Sequence, residues 1–195
     1  MSVKSPRPVN DNIDLARDPD ERPHDAGMRV AELDFPAQFA LWGMRAWLAA
    51  WRQDGNAQPA PQRGATYRAQ AGEGFLRAGV PQAMDFIDDI FQAIAAVAIR
   101  QIDLRCPPCG YVSADEALLL GAIAASQRKQ HAVAWSALGF LLPPAAARAA
   151  LPSLISLAVT LRDAEMTLTL LDAERCVAPD LRLAQAQASA AAPIH

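Results

Sequence analysis

Arg105-Cys106-Pro107-Pro108-Cys109-Gly110-Tyr111-Val112-Ser113-Ala114-Asp115-Glu116 lies between two apolar helical patterns. Its Cys-Pro-Pro-Cys-Gly core forms a tight connection. Ser113 followed three residues later by Glu116 is a capping box, which places a helix start at Ala114. The reading is therefore helix, loop, helix. Extended along the chain, it predicts an all-α, single-domain bundle of about five or six helices over residues 35–172, with Cys106 and Cys109 on an inter-helix loop.

Downstream, apolar residues continue through Leu118, Leu119, Leu120, Ile123 and Ala124 to the polar turn Gln127-Arg128-Lys129-Gln130. A second helix runs from His131 to Leu142, carries Trp135, Leu138 and Phe140, and is halted by Pro143-Pro144. A basic turn between two helices invites a helix-turn-helix reading. The second helix, however, presents Ala132-Val133-Ala134-Trp135-Ser136-Ala137-Leu138-Gly139-Phe140, which has the composition for burial and not for reading base edges. The last helix spans Pro144 to about Ala164 and is expected to split or kink at Pro152. Leu154, Leu157 and Leu161 form its buried row. Met166, Leu168 and Leu170 then alternate with Thr167 and Thr169, the period of a strand, which either pairs with Ile102–Leu104 as a minor two-stranded ribbon or returns extended across the bundle.

Upstream, Met84, Ile87, Phe91, Ile94 and Ala98 make one helical stripe behind Pro81. Asp85, Asp88 and Asp89 suit the first half of that helix, where carboxylates meet the positive end of its dipole, and are read as a solvated face in preference to a magnesium site. A weaker helix around Ala65–Arg77 is anchored by Tyr67, Phe75 and Leu76, with Gly72 and Gly74 against it. Before it, Pro59, Pro61 and Gly64 mark a linker. The helix from Phe35 to Arg52 carries Trp42, Trp47 and Trp51, and its apolar surface exceeds one face. Three tryptophans so close together serve either a core or a contact with a partner, a second copy of the chain included. Residues 1–34 and 173–195 are read as tails, because neither carries enough periodic apolar surface to offset the entropy of ordering.

The chain is 52% apolar with a formal net charge of −3, so no global field attracts nucleic acid or anionic lipid. Its longest run without Asp, Glu, Lys or Arg, Gln130–Ala147, ends in two prolines and falls short of a spanning helix. Neither nucleic acid nor membrane is expected as a partner. The charged first 35 residues do not read as a signal peptide, and three cysteines suit reduced thiols in the cytoplasm.

Cys106-x-x-Cys109 has the spacing that lets two sulfurs reach one tetrahedral metal, and with Gly110 it resembles half of the knuckle pair of zinc ribbons. The other half is missing. A closed zinc site needs Cys176 and His131 as further ligands, or a second copy supplying the same pair. A redox dithiol competes for these residues, but it needs its first sulfur at a helix N-terminus after a strand. A plain loop is the third reading. No phosphate loop, nucleophile elbow or His-Glu-x-x-His occurs, and the single internal histidine gives little material for acid–base work. The expectation is a non-enzymatic adaptor or regulatory protein with a zinc-binding loop. A thiol- or metal-dependent enzyme centred on Cys106 and Cys109 is the alternative.

Overall fold

Asp34 opens the first helix of the bundle. In the computed structural model, which describes residues 13–14, 28–55 and 61–169, its Oδ1 accepts the Ala37 N–H at 2.8 Å and its carbonyl accepts the Gln38 N–H, as an N-cap does. Helix α1 (Phe35–Gly55) follows. The segment assigned to the N-terminal tail is thus structured from Met28 onward: Val30–Glu32 forms a 3-10 turn and Leu33 is buried. Composition hid this because the segment is held mainly by backbone pairing and one cap, which leave no apolar periodicity. The rest of the two tails read from the sequence, residues 1–27 apart from Ile13–Asp14 and residues 173–195, lies outside the described residues.

Among the described residues five further α-helices follow: α2 (Pro61–Arg77), α3 (Ala83–Val97), α4 (Ala114–Gln127), α5 (His131–Gly139) and α6 (Pro144–Asp163). The all-α reading holds. Helix α1 packs on α2, α3 and α4, while α6 lies against α3, α4 and α5. The stripe read from α3 is its core face, with Met84, Ile87, Ile90, Phe91 and Ile94 buried.

The α1–α2 contact is keyed by two glycines. A Cβ at Gly43 would stand 2.5 Å from Phe75 of α2, and one at Gly74 would stand 2.7 Å from the Trp42 ring of α1. Each helix thus seats an aromatic over the other's glycine. Gly74, which lowers helix propensity, is there for close approach. Phe39 joins the same cluster, its ring centroid 4.8 Å from that of Phe75.

Helix α6 is continuous through Pro152, so the split offered as one outcome there does not occur. Proline there removes one backbone bond and costs about 3 kcal/mol, but Pro152 is exposed, and Ala147, Ala150, Leu154, Leu157, Ala158 and Leu161 are buried on the opposite side. Tertiary burial outweighs the local defect. By length and composition α6 would also suffice to cross a membrane, yet its apolar row is engaged by three other helices.

The minor ribbon exists with a different partner. β2 (Ile102–Asp103) pairs in parallel with β1 (Ile13–Asp14), not with the Met166 segment. That segment runs extended across the bundle, Met166 and Leu168 buried, Thr167 and Thr169 exposed. Side chains replace a neighbouring strand. Buried Gln127 donates to the Met166 carbonyl and accepts the Leu168 N–H, both at 2.8 Å, while Arg128 donates to the Leu168 carbonyl at 2.8 Å. Asp34 Oδ2 accepts the Thr169 N–H at 2.6 Å. Burial pushes the Asp34 carboxyl upward, but hydrogen bonds from Thr169 and Ala37, with the Arg128 charge, prevail and hold it below its usual range.

Candidate functional site: the dithiol loop and its buried clamp

Between β2 and α4 the chain turns at Cys106–Cys109. The Cys109 N–H donates to the Cys106 carbonyl at 3.0 Å, and the central positions of this turn are Pro107 and Pro108, whose rings fix φ. Both cysteines are free thiols, half-buried, and Pro108 and Gly110 stand exposed. The returning arm is backed by the N-terminal segment: the Val30 N–H donates to Gly110 and the Val112 N–H to Met28, each at 2.9 Å. Ser113 then caps α4, accepting the Glu116 N–H at 3.1 Å while Glu116 accepts the Ser113 N–H at 2.9 Å, so the capping box is present as read.

Glu116 has a second task that the sequence did not reveal. Arg45, in the middle of α1, reaches it through Nε and Nη2, both at 2.8 Å, and the two side chains are 3% and 0% exposed. The same guanidinium donates from Nη1 to the Cys109 carbonyl at 2.6 Å and from Nη2 to the Tyr111 carbonyl at 2.7 Å. The Arg105 N–H adds a bond to Glu116 Oε1 at 2.9 Å. Burying two ions costs several kcal/mol each, and only a bidentate, fully hydrogen-bonded arrangement offsets this. A lysine could not supply the fork. The consequence is mechanical: a core arginine grips the backbone on the far side of the thiol turn.

A second pair secures the near side. Asp115 takes both terminal nitrogens of Arg100 and accepts the Asp103 N–H at 2.7 Å, while the Ser113 hydroxyl donates to the Asp103 carbonyl. Arg100 also donates to the Phe140 carbonyl at 3.1 Å, tying the loop to the end of α5. The bonds to Asp115 raise the Arg100 guanidinium above its already high ordinary value, against burial. The first-turn acids of α4, Asp115 and Glu116, are structural anchors for both arms of the loop.

Of the four ligands expected for zinc, only Cys106 and Cys109 share one turn. His131 is exposed at the start of α5, and no group of three His, Cys, Asp or Glu suited to a metal occurs among the described residues. Cys176 lies outside them. Nearby carboxylates are committed elsewhere: Glu116 to Arg45 and two backbone amides, Asp115 to Arg100, and Asp103 to Arg105 at 3.2 Å. The acidic face of α3 is likewise engaged, Asp88 by Trp47, Arg68 and Gln92, and Asp89 by Ser153.

The tryptophans need one correction. Trp47 is 2% exposed, stacks on Phe91 with centroids 5.2 Å apart, and donates its indole N–H to Asp88 at 2.6 Å. It is a core residue and presents no surface to a partner. Trp42 and Trp51 are half-buried, packed against the core. The large apolar side chains that do face outward include Phe35 and Leu76, 68% and 63% exposed.

Arg45 was the residue missed, and it left a signal. An arginine surrounded by Leu41, Trp42, Met44, Trp47 and Leu48, in a helix apolar on more than one face, cannot easily turn to solvent and must find an acid. Compared with family models, with curated proteins and with solved structures, the chain matches none.

Proposed function

We propose that this chain is a non-enzymatic cytoplasmic adaptor or regulatory protein that acts through protein–protein contacts, with the Cys106–Cys109 loop as its working element and a thiophilic divalent ion, zinc first, as the ligand of that loop. The observation that carries the reading is the Arg45 clamp. A fully buried ion pair is spent on fixing loop carbonyls beside two free thiols, and rigid presentation of soft ligands is what a thiolate metal site requires. The redox alternative is less well supported, since α4 begins only at Ala114, so neither thiol lies at the first turn of that helix.

Elemental analysis of the purified protein beside Cys106→Ser and Cys109→Ser tests the reading. Zinc bound to the wild type and lost from both variants, at unchanged helical circular dichroism, is the expected result. Wild-type protein that neither carries zinc nor takes it up on titration overturns it.

A further inference from the structure

The geometry points to a second copy of this chain as the source of the missing ligands, the two dithiol loops closing one zinc ion between them. This inference rests on the metal reading above and adds the partner. A closed structural zinc site is tetrahedral with four ligands, and each chain brings two. Among the described residues no third His, Cys, Asp or Glu joins the two thiols in a group suited to a metal. Glu116, Asp115 and Asp103 are held by Arg45, Arg100 and Arg105, and releasing any of them would leave an arginine of the loop framework without its carboxylate. His131 is not grouped with the thiols.

The loop is also open to another chain. Pro108 and Gly110 are exposed, and a Cβ at Gly110 would meet nothing within 4 Å. A symmetric dimer uses the same patch twice, so a half-site on a turn with exposed Pro108 and Gly110 is completed by its own equivalent. Charge and protons balance simply: one Zn2+ and four thiols give a tetrathiolate site of net charge −2, with four protons released to solvent. No electron transfer is involved.

The test uses metal-free full-length protein titrated with zinc chloride, with bound zinc, released protons and molar mass by light scattering read together. The expected result is saturation at one zinc and four protons per two chains, a doubling of mass, and return to monomer with EDTA. Cobalt in place of zinc should give the absorption of a four-sulfur tetrahedral site. A monomer binding one zinc per chain, particularly one whose zinc is lost in Cys176→Ser, overturns the dimer while leaving the metal reading standing. A dimer indifferent to EDTA overturns it too, and absence of any zinc binding overturns both.

Discussion

Replacing Arg45 with methionine keeps most of the side-chain volume and removes the guanidinium. Four hydrogen bonds disappear, and Glu116, 0% exposed, is left with only backbone amides as partners. Removing one partner of a buried ion pair costs about 3–5 kcal/mol, because the survivor stays buried without its counter-charge. For a chain of this size, about 2–4 °C of melting temperature per kcal/mol gives a fall of roughly 6–20 °C. Glu116→Gln strands the opposite charge and should cost a similar amount, while its amide can still serve the capping box. The double variant Arg45→Met/Glu116→Gln has no stranded charge. It should therefore lose less than the sum of the single losses, with a coupling of up to about 3 kcal/mol. Urea denaturation followed by circular dichroism supplies all four corners of the cycle. In the Arg45→Met variant the two thiols should also be alkylated faster, since the Cys109 and Tyr111 carbonyls lose the donor that fixes them. An Arg45→Met loss below about 1 kcal/mol, or strictly additive losses, would refute the clamp.

Two glycines of similar appearance should respond oppositely to alanine. Gly72 has nothing within 4 Å of a new Cβ, so Gly72→Ala should raise the unfolding free energy, read from urea titrations, by about 0.5–1 kcal/mol through helix propensity; Gly43→Ala forces its Cβ against Phe75, itself 0% exposed, and should cost about 1–3 kcal/mol. Asp34 supplies a pH signature. Its folded-state pKa lies below the unfolded value, so its contribution is present above about pH 4 and is lost as pH falls through the folded value. The stability gap between wild type and Asp34→Asn, followed by urea midpoints against pH, should be full at neutral pH and shrink below about pH 4.

The helices were legible wherever a local rule decided them. The stripe from Met84 to Ile94 and the Ser113–Glu116 box each fix an element from a few neighbouring residues, and both hold, whereas α5 ends at Gly139, three residues short of the Leu142 expected ahead of Pro143-Pro144. What escaped was set by contacts distant in sequence. Pro152 does not end α6 because its apolar row is already engaged by α3, α4 and α5, and the alternating Met166–Thr169 segment pairs with Gln127, Arg128 and Asp34 in place of a strand. Trp47 was ambiguous between core and surface until α3 supplied Phe91 and Asp88. Of the candidate site, the thiol spacing was visible and its scaffold was not: Arg45 and Glu116 are 71 positions apart, and Glu116 already had a sufficient local explanation.

The crossed pairing of Trp42 over Gly74 and Phe75 over Gly43 makes the first two helices behave like a snap fastener. Both studs lie at nearly equal distances along the chain from the 56–60 connection, so the hairpin closes in one alignment. Sliding either rod by one turn would drive a ring into a neighbour's side chain instead of a hollow. Arg45 rides on the rod that is locked this way, only three residues past the Trp42 stud. The aim of its guanidinium at the thiol turn is thereby calibrated from a neighbouring face of the same helix, and a change that loosens the fastener should be felt at the sulfurs.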